Sequence, residues 1–318
     1  MDFAQISNFF QELSVESLTY VVSPEKRTYW VYILSTFVIA LFVYLSQKKR
    51  GRFVDYFLSR KIWLGRSAFI DYALILFNSL VKVLVLAPIL IYALHIAEGL
   101  GEYLTQFFGH SELGWSPTTI VILYTVAIVV VNDFASYVIH YMMHKIPFLW
   151  EFHKIHHSAT HLTPFTQYRL HPIELIINNI RGIAIKGFIT GFFLYLGNGN
   201  VSLLTFFGIN ALNFLFFFLG ANLRHSHVRF RYFDFLENIL ISPYQHQIHH
   251  SNRQEHYDTN LGSRLAIWDY LFGTLIKSKE APKVSFGLGE EDKSYDTFTK
   301  NLFNPFVNLV SRKRKNTT

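Results

Sequence analysis

Three histidine clusters constrain this chain more than any other feature. His140 and His144 stand four apart, and His153, His156 and His157 fall at i, i+3 and i+4. His246, His249 and His250 repeat the second set of offsets nearly a hundred residues later. On an α-helix these offsets bring side chains onto one face, about one turn apart. Imidazole is the commonest metal ligand near neutral pH. If the clusters serve one purpose, separate helices must meet in one volume, and so many imidazoles there suit two ions rather than one.

The rest of the chain has a membrane composition. It is 51% hydrophobic and 17% aromatic, with only 16% charged residues, where soluble domains run near a quarter charged. No Pro/Gly/Ser linker, repeat or low-complexity block divides its 318 residues. Cysteine is absent, which excludes disulfides, thiolate zinc sites and iron–sulfur clusters within this chain. The net charge of +7 could suggest nucleic acid. The basic residues instead flank apolar runs, so a membrane accounts for them and no nucleic-acid partner is expected.

Met1 to Arg27 reads as a polar, slightly acidic leader without the features of a signal peptide. Tyr29 to Ser46 is a charge-free run near the lower length limit for a span, with Tyr29 and Trp30 as an interfacial anchor. The loop after it holds Lys48, Lys49, Arg50, Arg52, Arg60, Lys61 and Arg66 against Asp55 alone, and is cytoplasmic by the positive-inside rule. Phe69 to Ile96 is apolar, with Asp71 near its start and Lys82 in its middle. It reads either as an interfacial helix feeding a short span or as one tilted span with Lys82 facing protein or snorkelling. A loop with Glu98, Glu102 and Glu112 then belongs outside, up to Pro117, and Thr118 to about Ile139 returns. Ile183 to Leu196 and Val201 to Leu219 form a hairpin around G-N-G-N that comes back to its own side. Every histidine cluster therefore faces the cytoplasm, and the chain ends in a basic tail, Arg312 to Lys315.

Asp133, Tyr137, His140 and His144 fall at i, i+4, i+7 and i+11, a single helical stripe. An ionisable group inside an apolar run is a functional candidate by default. Asp133 is expected to accept a hydrogen bond from Tyr137 or from a ligating imidazole, unless it is merely solvated at the interface. Pro147 separates this helix from a short one to Ser158 that displays the second cluster. Ser242 suits an N-cap and Pro243 the first helical position before the third cluster. For His171, His225 and His227, ligation and an ordinary hydrogen-bonded role both remain open. His95, His110, His161 and His256 fit no pattern and read as ordinary.

H-Y-M-M-H lacks the glutamate of the H-E-x-x-H proteases. Only Glu151 near the second cluster offers a carboxylate for a two-histidine-one-carboxylate site. The remaining possibility is a nitrogen-rich pair of first-row metals. Zinc or copper would bind such a site more tightly, so affinity does not settle the metal. Iron fits better the job of activating O2 beside a bilayer to attack an unactivated C–H bond, for which side-chain acids and bases alone are inadequate.

The motifs H-Y-M-M-H, W-E-F-H-K-I-H-H-S, R-L-H-P, H-S-H-V-R, Q-H-Q-I-H-H-S and N-L-G-S-R-L-A-I-W-D-Y-L-F-G-T resemble the fatty acid hydroxylase superfamily, nearest its bacterial-type sterol desaturase group. The resemblance runs from about Asp133 to Thr274. It implies an all-α integral membrane protein, with a base of about four to five spans and a cytoplasmic histidine-rich cap holding two non-haem iron ions. It also implies a lipid hydroxylase or desaturase that uses O2. By position, the ligands are His140, His144, His153, His156, His157, His246, His249 and His250. His225 matches a further family histidine, His171 matches the family's H-P element, and His227 stands where an asparagine is common. Asp133 and Tyr137 are the catalytic candidates beside them. Tyr141 stands where an arginine commonly follows the first histidine, which puts in doubt any headgroup role for that position.

The resulting division is 1–132 for the N-terminal spans, 133–275 for the catalytic domain and 276–318 for a polar tail. Trp268 and Phe272 read as packing, Asp269 as an acceptor behind the ligands and Gly273 as a helix stop. The chain has neither a nucleotide-binding glycine turn nor a haem-binding pair, so a separate electron donor is expected: a reductase, ferredoxin or cytochrome b5-like protein. The expected location is a bacterial inner membrane. A rival histidine-rich metal transporter or sensor would place its ligands midway through the spans, whereas these lie at span ends. A non-catalytic relative would not be expected to keep the full ligand set.

Overall fold

The computed structural model describes residues 22–47, 51–206 and 208–315. The leader up to residue 21 and the basic residues Lys48, Lys49 and Arg50 lie outside the described residues. The architecture is helical, apart from a two-stranded antiparallel ribbon (Thr205–Phe206 with Ile209–Asn210) and one bridge between Leu240 and Leu265.

Helix α1, Trp30–Ser46, follows the expected first apolar run. Its Ile33, Leu34, Val38, Phe42 and Leu45 are exposed, while Ala40 and Val43 pack on Leu223 and Val228. Two short helices, Phe53–Phe57 and Arg60–Trp63, fill the basic loop. Next comes α2, Arg66–Val81, then a π-helical turn at Lys82–Leu86, a 3-10 turn at Ala87–Ile89 and α3, Tyr92–Phe108. The interruption has a local cause, because Pro88 removes a donor and obstructs the preceding turn. Helix α3 also corrects an expectation. Glu98 and Glu102 lie on a helix that continues to Phe108, not in a loop beginning after Ile96.

The reason is packing on α6, Pro172–Leu196. A Cβ on Gly187 would stand 2.8 Å from Ile96, and one on Gly191 would stand 2.6 Å from the Ala97 carbonyl. The G-x-x-x-G spacing of these two glycines lets the two backbones approach closely, so α3 is held along its length.

Helix α4, Pro117–Lys145, has 29 residues and a rise of about 43 Å. Ser116 caps it by accepting from the Thr119 N–H. Ile146 is extended because Pro147 follows it, and α5, Pro147–His157, sets off in a new direction. After α6 the second arm of the expected hairpin is not a spanning helix. It is an extended stretch and ribbon followed by α7, Ala211–Phe218, eight residues long. Helix α8, Pro243–His249, opens with a full capping box between Ser242 and Gln245, with Pro243 first in the helix. Helix α9 is Ile267–Phe272, and Gly273 stops it in the left-handed region at φ 72°.

The segment expected as a polar tail closes the cap instead. Helix α10, Phe298–Lys315, lays Phe306 against Phe152 of α5, and Asn308 donates to Glu151. Arg66–Phe108 and Pro117–Lys145 are long and apolar enough to cross a membrane, and the shorter α1 is equally apolar. Apolar side chains of these helices face outward while histidines, Arg169 and Asp71 are buried. This inverted distribution suits a lipid-embedded base beneath a polar-cored cap.

Candidate metal centre

Four elements bring the histidines together. The last turn of α4 presents His140 and His144, and α5 presents His153, His156 and His157. Helix α8 with its C-cap presents His246, His249 and His250, and the turn after Ala221–Leu223 presents His225. Their nitrogens form two groups. His140, His144, His153, His157 and His249 make one, and His156, His225, His246 and His250 the other, with the ligand atoms of each group within 4.8 Å of one another.

Each H-x-x-H-H cluster is thus divided. The i, i+4 pair His153/His157 serves the first group and His156 the second. On α8 the pair His246/His250 serves the second group and His249 the first.

Hydrogen bonds orient the rings. The Nδ1 of His140 lies 2.7 Å from the Leu261 carbonyl, that of His249 2.9 Å from Thr259 O and that of His156 3.3 Å from Arg169 O. His153 Nδ1 meets Glu174 Oε1 at 2.9 Å and His144 Nδ1 meets Asp258 Oδ1 at 3.2 Å. These oxygens only accept, so each Nδ1 carries the ring proton and each Nε2 keeps a bare lone pair.

Such lone pairs converge without protons between them. His140 and His153 face each other Nε2 to Nε2 at 3.1 Å; His225 and His250 also meet Nε2 to Nε2, at 3.0 Å, but the Nδ1 of His250 has no acceptor to hold its proton. The buried Nε2 atoms of His144, His157 and His249 have no hydrogen-bond partner. Bare, buried, mutually repelling lone pairs fit a cation at the first group, and the four buried imidazoles whose nitrogens lie within 4.8 Å of one another fit a second. His246 is the exception, because its Nδ1 accepts from Arg224 Nη2 at 2.8 Å. Its Nε2 therefore carries the proton in the neutral ring, and a cation there must displace it.

Burial holds His156, His157, His225, His246, His249 and His250 far below the ordinary imidazole range. The desolvated charged form is disfavoured first. Neighbouring imidazoles add to it, as does the Arg224 guanidinium beside His225 and His246. Neutral rings are the ligating form.

Several predicted residues sit elsewhere. His171 caps α6, with Nδ1 accepting from the Ile173 N–H and Nε2 donating to Leu302 O, so both ring nitrogens are engaged outside the two groups. His227 also lies outside them, edge-on to Tyr56 with ring centroids 4.8 Å apart. Asp133 accepts neither from Tyr137 nor from an imidazole. Its Oδ2 takes the Leu265 N–H at 3.0 Å and the Trp268 indole at 3.1 Å. Tyr137 instead meets Thr274 Oγ1 at 3.2 Å and stacks on Phe272. The stripe on α4 clasps the 261–274 segment, which is how Leu261 O comes to face His140. Asp269 finishes that loop by accepting from the N–H groups of Leu261 and Gly262. Glu151 faces away, paired with Lys154 at 2.9 Å.

Sequence reasoning passed over Glu174, Asp258 and Asp71. Glu174 stands two residues after the H-P element, and its place behind His153 was the available clue. Replacing it as Glu174→Gln should weaken metal binding about 10–100-fold, the usual cost of losing an acceptor behind a ligating histidine. Chelator competition on purified protein measures this, and unchanged affinity would refute the role. Asp71 acts at one remove. It pairs with the fully buried Arg169 at 2.6 Å, and the Arg169 carbonyl receives His156.

Two cavities flank the histidines. An outer one of about 340 Å³ meets His144, His157, His249 and His250 and opens among the loop residues Asn252, Tyr257 and Glu291. An inner one of about 430 Å³ meets His140, His153, His156, His225 and His246 and reaches Lys82 and Ser136 on the two long apolar segments.

Residues 125–274 match the fatty acid hydroxylase family. Among curated proteins, an ornithine lipid hydroxylase of Rhizobium tropici is 28% identical over 56% of this chain and 48% of its own length. Alkylglycerol monooxygenases of Xenopus tropicalis and Homo sapiens are each 28% identical, over 52% and 49% of this chain and 33% and 31% of theirs. The chain thus spans half or less of the length of these relatives. No solved structure matches it significantly. The histidine-bearing segment, from within α4 to just past α9, is the part of the chain that matches the fatty acid hydroxylase family.

Proposed function

We propose that this chain is a membrane-bound lipid oxygenase, with two iron ions held by His140, His144, His153, His157 and His249 and by His156, His225, His246 and His250. The observation that carries the reading is the pair of buried imidazole groups, in the first of which bare Nε2 atoms converge while the Nδ1 protons of His140, His153 and His249 are tied to oxygen acceptors. Bound iron supplies the O2 activation needed to attack an unactivated C–H bond.

The protein's own part is to hold, orient and exclude. Glu174, Asp258, Leu261 O and Thr259 O set the ring tautomers. Asp133 and Tyr137 are positioning residues that clasp the loop carrying Leu261. The inner cavity, which reaches the long apolar segments at Lys82 and Ser136, suits the lipid, and the outer cavity among polar loops suits an external electron donor.

Orientation follows from charge. Arg66 of the basic loop pairs with Asp296 at 3.0 Å, beside α10 of the cap. Loop and cap therefore share a side, and the positive-inside rule makes it cytoplasmic. A base of four to five spans in a bacterial inner membrane is consistent with this arrangement.

The test is metal analysis with lipid mass spectrometry. Purified protein should carry about two irons per chain, and a host with the gene should contain a lipid that has gained a hydroxyl or lost two hydrogens. Zinc alone, or no metal, together with an unchanged lipid profile, would sink the proposal.

A further inference from the structure

The inner cavity is cationic, which a site for a bare hydrocarbon or sterol does not need. Arg27, Lys82, Arg181 and Arg224 line it, and the carboxylate among its lining residues is Glu174. One oxygen of Glu174 is taken by His153. Four cations against one committed carboxylate leave net positive charge in this cavity, and for the buried Arg224 and the half-buried Arg27 and Arg181 an unpaired charge is costly.

These cations also retain donor capacity. Arg181 gives Nη1 to Asn132 O and Oδ1 at 3.1 and 3.0 Å, Arg27 gives Nη1 to Gln167 Oε1, and Arg224 gives Nη1 to Ser263 O and Nη2 to His246. The Nε atoms of Arg181 and Arg224 are buried without a partner. Lys82 makes no hydrogen bond to a described residue, and its ammonium lies 5.8 Å from the centre of the Tyr168 ring. It stands at the start of the π-helical turn, a distortion frequent at functional sites. Gln167, Asn178 and Asn179 add neutral polar groups to the same walls.

We propose that the inner cavity receives the anionic headgroup of an acidic lipid, a phosphate or carboxylate, held by Arg27, Lys82, Arg181 and Arg224 beside the histidine groups. The chemistry after binding rests on the oxygenase reading. The C–H bond offered to the centre then lies in the headgroup or in the carbons next to it, not far along an acyl chain. Guanidinium forks suit such oxyanions, and the lysine adds a point charge.

The test uses full-length metal-free protein in neutral detergent, so it reads binding independently of iron. Phosphatidic acid, diacylglycerol with the same chains, and inorganic phosphate are titrated by native mass spectrometry. Phosphatidic acid should bind at least tenfold more tightly than diacylglycerol. A Lys82→Gln/Arg181→Gln variant should lose that preference while binding diacylglycerol as before. Equal affinity for the two lipids overturns the proposal, as does a preference that survives both substitutions. Inorganic phosphate binding as tightly as phosphatidic acid would make this a free-anion site and overturn the lipid assignment. If the double variant fails to fold, the comparison of lipids on the unaltered protein decides alone. Iron content of the holoprotein is measured separately. Its absence would remove the oxygenase reading without touching headgroup binding.

Discussion

His156→Ala and His246→Ala should produce the same defect, although they lie on different helices and in different sequence clusters. Each removes one of four nitrogens from the second group and none from the first. Iron should fall from about two ions per chain to about one, and product formation should vanish, since a cooperating pair fails when either member is lost. The double variant His156→Ala/His246→Ala should retain about one iron, because both losses fall on the same ion. His246→Ala/His249→Ala, three residues apart on one helix, removes a ligand from each group and should leave nearly none. Iron quantification across these four proteins, with circular dichroism to confirm helix content, checks the partition. If the two doubles lose equal iron, the division of each cluster between two centres is wrong.

Loss of the buried ion pair beneath the cap should have the second largest effect. Arg169 donates Nε to Asp71 and Nη1 to Ser158, and Nη2 reaches both oxygens of Ser67. Asp71 Oδ2 also accepts from Thr166 and Thr163 at 2.8 and 3.3 Å. Asp71→Ala leaves the guanidinium buried and uncompensated, which costs about 3–5 kcal/mol. Arg169→Met strands the carboxylate at a similar cost. The double variant Asp71→Leu/Arg169→Met should be more stable than either single, because two apolar groups replace a pair whose desolvation is itself expensive. Thermal unfolding in detergent reads all three. A double variant at least as unstable as the worse single would show that the pair is not the source. Metal binding should weaken with Asp71→Ala as well, since Arg169 O orients His156.

Much of the local structure is legible in the sequence because its causes are local. Proline and serine spacing marks the starts of α5 and α8, and Gly273 marks the end of α9. The charge-free run after Tyr29 marks α1. The failures share a different cause. Residues 97–108 read as loop because Glu98 and Glu102, with Glu112 beyond them, suggest solvent, but Gly187 and Gly191 of a distant helix give them a packing surface. Val201–Leu219 reads as the second arm of an apolar hairpin, yet of its described residues only Ala211–Phe218 are helical, after a short ribbon. Residues 298–315 read as a polar tail, although one face of α10 covers α5. Asp133 reads as a partner of the ligands from its stripe on α4. The stripe is real, but its lower half, Asp133 and Tyr137, meets the 261–274 segment below the imidazoles that its upper half carries.

By itself the sequence determined which histidines stand at ligand-like helical spacing and which faces of their helices carry them, since spacing on a helix is set by the 3.6-residue turn. It also determined, through composition, that a greasy exterior would surround them. Only the tertiary structure decided how nine imidazoles are shared between two groups, because the division depends on how α5 and α8 cross. It likewise decided that His171 and His227 stand apart, that Glu174 and Asp258 stand behind the rings, and that four cations from distant segments share one cavity. Each of these is a distance between residues far apart in the chain, which no local periodicity encodes.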